Sequence, residues 1–89
     1  MNTVQACSLN ISGVDLVLVL ADWSAVKKPL DRPAMFRTMA AVFPGKHVIL
    51  VSKDPLKPDA PAEFFGHGQL VPLFNGRKIA DFKWQTIKY

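Results

Sequence analysis

Several short stretches of this sequence carry residue types that could do chemistry. Ser24-Ala25-Val26-Lys27 sets a lysine beside a serine, a pairing in which the amine lowers the cost of deprotonating the hydroxyl for acyl transfer. The motifs that accompany such a pair are absent, so the stretch reads as a helix-start serine followed by a solvated lysine. His47 and His67, with Cys7 or Asp54, raise the question of a metal, but no two of them have the spacing of a ligand pair. Both histidines read as structural. Gly66-His67-Gly68 could cradle an anion through its backbone N–H groups. A phosphate loop follows a strand and opens a helix, whereas this one precedes a strand, so it reads as a permissive turn. Pro55-Leu56-Lys57-Pro58 is the minimum for a polyproline-groove ligand and reads as an ordinary proline-spaced loop. The expectation is a non-enzymatic protein with no catalytic residue, no metal and no cofactor.

The C-terminal stretch is the most suggestive surface. In an extended chain Lys78, Ala80, Phe82, Trp84, Thr86 and Lys88 share one face, and Arg77, Ile79, Asp81 and Lys83 begin the other. Phe82 and Trp84 read first as a core face. Left exposed beside Arg77, Lys78, Lys83 and Lys88, they would instead suit base stacking on single-stranded nucleic acid. A third reading makes Arg77–Trp84 an open edge onto which another chain adds, a monomer or weak homodimer following from how that edge is used.

The rest of the composition limits these choices. The chain has 89 residues and one cysteine, so no internal disulfide reinforces what must be a small core. It is 49% hydrophobic and 20% charged, the balance of a globular domain rather than a disordered or membrane-embedded one. The net charge of +4 is uneven: residues 1–23 hold only Asp15 and Asp22, giving −2, and the remainder holds 11 basic and 5 acidic residues, giving +6. A basic surface attracts anionic partners without requiring them. The start lacks a basic signal region and the apolar run Val14–Ala21 is far short of a membrane span, so the expectation is a cytoplasmic, reducing setting with no membrane partner.

The elements that must position these groups follow from periodicity. Thr3–Ile11 alternates weakly and suggests an edge strand or a loose arm before a core spanning 14–84. Val14–Ala21 is almost continuously apolar and β-branched, as a strand buried on both faces requires. A helix is expected from Asp31 as N-cap, with Pro33 in its first turn, to Phe43. Met35, Phe36, Met39, Val42 and Phe43 form its apolar face. His47–Ser52 is a second buried strand, which makes a parallel βαβ unit. A proline-rich loop over 54–61 and a short helical turn at Ala60–Phe65 come next. Asn75-Gly76 between apolar runs then signals a hairpin of Leu70–Phe74 with Arg77–Trp84.

The order βαβ, proline-rich loop, ββ hairpin resembles the core of the thioredoxin and glutaredoxin fold. Ala21-Asp22-Trp23-Ser24-Ala25-Val26-Lys27-Lys28 is similar to the Ala-Glu-Trp-Cys-Gly-Pro-Cys-Lys segment of thioredoxins, and Val71-Pro72-Leu73-Phe74-Asn75-Gly76 to their proline-bearing hairpin. Ser24 and Lys27 stand where that family has its two cysteines, and the one thiol, Cys7, lies before the main strand. The resemblance therefore implies a trimmed, redox-dead domain, with any residual thiol chemistry left to Cys7. The expected fold is a single small α/β domain, a mixed sheet of about four strands under one main helix. The expected role is a protein- or peptide-interaction module. Its site would gather Trp23 as apolar contact, Lys27 as charge, Ser24 beside them, and the Val71-Pro72 strand as a backbone edge for a peptide. The second reading is the nucleic-acid surface of Arg77, Lys78, Phe82, Lys83, Trp84 and Lys88.

Overall fold

Two strands, β2 (Val14–Leu20) and β3 (His47–Ser52), pair in parallel from Leu16 opposite His47 to Leu20 opposite Val51. Leu16, Val17, Leu18, Ile49, Leu50 and Val51 are fully buried, as their unbroken apolar runs require. A parallel pair needs a crossover, supplied by the short α1 (Trp23–Val26) and the eleven-residue α2 (Arg32–Val42). The computed structural model describes residues 2–66 and 70–89. Asp31 sits at the N-cap of α2 and Pro33 in its first turn, and Met35, Phe36, Met39 and Val42 face the sheet with Phe43, as expected.

The complete sheet is mixed and five-stranded, in the order β4-β3-β2-β1-β5, with β1 (Thr3–Ile11), β4 (Glu63–Phe65) and β5 (Gln85–Lys88) joining antiparallel to their neighbours. Alternation divides its side chains between two cores. On one face Ala6, Val17, Val19, Val48 and Leu50 meet α2. On the other Cys7, Leu16, Leu18, Ile49 and Val51 meet Ala62 and Phe74.

The small α/β domain with a mixed sheet under one main helix is as expected, its five strands close to the four or so anticipated. Three local expectations are corrected. First, Thr3–Ile11 is neither an edge nor an arm, because β1 lies between β2 and β5. The hairpin that holds it turns at Ser12 and Gly13, with φ of 52° and 82°. Two consecutive positive values define the turn whose twist matches paired strands. Second, residues 63–65 pair with β3 as a strand rather than coiling into a helical turn.

Third, no hairpin forms at Asn75-Gly76. Asn75 adopts φ −56°, ψ 131° and Gly76 φ 83°, and the Arg77 N–H donates to the Phe74 carbonyl at 3.0 Å. That is a type II turn, whose twist splays strands apart. The flanking runs become 3₁₀ turns, Val71–Phe74 and Ile79–Asp81. A 3₁₀ turn places residues three apart on one side, so Val71 and Phe74 both reach the sheet while Leu73 stays 58% exposed. Phe74 then stacks on Phe64 at 5.2 Å and meets Phe82 at 6.0 Å, and Phe82 meets Trp84 edge-on at 6.0 Å. Trp84 Nε1 donates to the Ile79 carbonyl at 2.8 Å. This aromatic segment serves as the second covering layer.

Adjacent residues should therefore differ sharply in weight. Phe74→Ala is expected to cost about 3–5 kcal/mol and Leu73→Ala about 0.5 kcal/mol or less, read from urea denaturation midpoints. Equal small effects would mean that residues 70–84 do not form a packed layer.

Candidate functional site

The first place to look is the C-terminal ends of β2 and β3, where ligand clefts open in parallel sheets once the chains leave in different directions. Ala21 is still tied to β3: its N–H donates to the Val51 carbonyl at 2.8 Å, and its carbonyl accepts from the buried Ser52 Oγ at 2.7 Å. Divergence begins at Asp22. One chain enters α1 and the other the loop after Ser52. Trp23, Ser24 and Lys27 line the cleft between them, opposite Asp54, Pro55 and Leu56. Asp54 Oδ1 accepts from the Leu56 N–H at 2.9 Å, and Lys53 Nζ donates to the Pro58 carbonyl, which brace the loop. Trp23 is half-buried, with its ring 6.4 Å from that of Phe65. Ser24 and Lys27 are exposed, and no hydrogen bond joins their side chains among the described residues. Asp22, rather than Ser24, occupies the N-cap of α1.

Three of the five expected site residues are thus together, and two are elsewhere. Val71 packs on the opposite face of the sheet, with Ile49 and Phe74, so close that a β-carbon on Gly66 would stand 3.2 Å from its Cγ2. Pro72 beside it is exposed, and no cis peptide bond occurs among the described residues. The sheet itself separates this pair from Trp23, because the segment folded onto the aromatic layer instead of extending as a strand. Of the nucleic-acid candidates, Phe82 and Trp84 belong to that layer, while Arg77, Lys78, Lys83 and Lys88 are exposed. His67 and Gly68, of the glycine-flanked turn, lie outside the described residues, and no cluster of three metal-ligating side chains occurs among those described. Among the described residues no helix is long and apolar enough to cross a membrane.

A second site was not visible in the sequence. A helix is about 10 Å wide, and five strands at about 4.8 Å spacing span about 19 Å. On the face it shares with the short α1, α2 lies over the β2–β3 half and leaves the β1–β5 half open. A groove of about 530 Å³ results, with Val4 and Val19 on its floor, Met35, Thr38 and Met39 on its helical wall and Tyr89 at its end. Next to β1, whose Thr3, Val4 and Gln5 line this groove, lies β5, the outermost strand on that side.

The edge of β5 can be read from the register. Asn2 and Tyr89 exchange both backbone hydrogen bonds, at 2.8 and 2.9 Å. Antiparallel pairs alternate, so Val4–Ile87 and Ala6–Gln85 are the next bonded pairs. The N–H and C=O groups of Thr86 and Lys88 therefore point away from β1. The open edge expected at Arg77–Trp84 is instead Gln85–Lys88. The sequence signal was present: Val4, Ala6 and Ile87 alternate with polar neighbours and meet on the groove side of the sheet.

The sequence matches no family model, and neither a curated protein nor a solved structure matches it.

Cys7 is 7% exposed within the interior strand β1. Its thiol should react with an aromatic disulfide reagent at least 100-fold more slowly in the native protein than in denaturant, because access requires opening of the sheet. Rapid stoichiometric reaction of the folded protein would revive thiol chemistry at this position.

Proposed function

We propose that the protein is a non-catalytic interaction module that binds an extended, acidic segment of a partner protein. The observation that carries this reading is the unpaired β5 edge opening beside the uncovered groove. Strand addition takes its affinity from main-chain hydrogen bonds and its selectivity from pockets that receive alternate side chains. Thr86 and Lys88 supply the main-chain groups, and the groove between Val4, Met35 and Met39 receives an apolar side chain of the incoming strand.

Charge favours an acidic occupant. Arg77, Lys78, Lys83 and Lys88 against Asp81 give residues 77–89 a net +3 of the chain's +4. The same charge opposes a second copy of this chain at β5, since like charges would meet edge to edge. Trp23, Ser24 and Lys27 form a separate cleft at the strand ends and are not needed for this binding.

The probe is a hexapeptide alternating valine and glutamate, titrated into the isotope-labelled protein. Bound peptide should slow hydrogen exchange at the Thr86 and Lys88 amides and shift groove resonances. Thr86→Pro removes an outward N–H while sparing the ladder to β1, and is expected to weaken binding at least 10-fold with an unchanged circular dichroism spectrum. Lys88→Glu should weaken it several-fold, and more at low salt than at high. Binding that survives Thr86→Pro, or shifts confined to another face, would exclude strand addition at β5.

A further inference from the structure

Arg32 is a half-buried arginine with no counter-ion among the described residues. Its Nε donates to the Val26 carbonyl at 2.6 Å, and its guanidinium carbon lies 4.2 Å from the centroid of the Phe65 ring. No carboxylate pairs with it among the described residues, and the N–H groups of its two Nη atoms have no protein acceptor there. The neighbouring Asp31 makes no ion pair with it. Arg32 faces a groove of about 570 Å³ between α2 and β4, on the side of the molecule away from β5. Arg37 lines the same groove, Pro29, Pro33, Phe36 and Phe65 give it apolar walls, and no acidic side chain among the described residues takes part.

A guanidinium left unpaired at a partly desolvated position retains its capacity for a charge-assisted, bidentate contact. Here the cost of ordering the side chain is already met by the Val26 bond and the Phe65 ring. The volume is that of a small-molecule cleft. We propose that this groove binds a small ligand with an oxyanion head, phosphate or carboxylate, on a flat apolar body: Arg32 and Arg37 take the head, and the proline and phenylalanine walls take the body. The site stands apart from the β5 reading, and neither requires the other.

Phenyl phosphate, benzoate, benzyl alcohol and inorganic phosphate are titrated separately while the Arg32 Nε–H and the Phe65 ring are followed by NMR. Phenyl phosphate or benzoate should give saturable shifts at both groups. Benzyl alcohol and inorganic phosphate, each lacking one half of the ligand, should bind at least 10-fold more weakly. Tighter binding of phenyl phosphate assigns the head as a phosphate monoester, and tighter binding of benzoate as a carboxylate. Arg37→Gln changes an exposed side chain that makes no hydrogen bond or ion pair among the described residues, and should weaken the better probe at least 5-fold. Arg32→Lys keeps the charge but loses the planar fork, and should weaken it at least 10-fold. The site is overturned if no probe saturates, if benzyl alcohol binds as well as benzoate, or if both variants bind as the unaltered protein does.

Discussion

The parallel pairing of β2 with β3 governs the rest of this structure. Strands buried on both faces must be covered on both, and a parallel connection must cross one face to return. The crossover places α2 on one side. The chain then has only the residues beyond β3 with which to cover the other. It does so without a second helix, by laying 3₁₀ turns and a run of four aromatic rings, Phe64, Phe74, Phe82 and Trp84, across Leu16, Leu18, Ile49 and Val51. That layer takes its strength from large rings in mutual contact and from the indole hydrogen bond to Ile79.

The same economy explains both grooves. Either side of α2, the sheet extends beyond the helix: toward β1 and β5 on one flank, toward β4 on the other. Each flank forms an open trough with the helix as one wall. Their chemistry differs because the helix is not symmetric. Met35, Thr38 and Met39 face the β1 trough, soft and uncharged, whereas Arg32 and Arg37 face the β4 trough. A helix with apolar residues at 35, 36, 39 and 42 covers the central strands, and its flanking positions set what each trough can attract.

The parts of the fold that were legible in the sequence are those where one force dominates. The nearly continuous apolar runs within Val14–Ala21 and His47–Ser52 admit only buried strands, and Asp31, Pro33 and the 3.6-residue period define α2. The illegible parts are those where local preference and burial compete. Asn75-Gly76 suits a hairpin locally, but Val71, Phe74, Ile79, Phe82 and Trp84 all bury on one sheet face, which two strands of opposite alternation could not achieve. Glu63-Phe64-Phe65 is too short for a period, so only its pairing with β3 defines it. The strand-end cleft was legible for Trp23, Ser24 and Lys27 because they follow β2 directly. Val71-Pro72 was misplaced because its position depended on the hairpin. The β5 edge and both grooves depend on how wide the sheet is relative to its helix, a quantity that no single segment carries.

The structural contacts of Arg32 use only part of its hydrogen-bonding capacity. Its Nε bond ends α1 by satisfying the Val26 carbonyl, and its stacking on Phe65 joins the helix layer to the edge strand. Those duties use one donor and the ring-facing side of the guanidinium. The contact with the Phe65 ring uses the positive charge as well, through cation–π attraction. The Nη donors are not used by the fold, and Arg37 adds a second charge to the same trough with no carboxylate among the described residues lining it. In a domain whose core is limited by its length, a charge held partly out of water opposes stability; an anion bound between Arg32 and Arg37, as proposed above, would offset that cost.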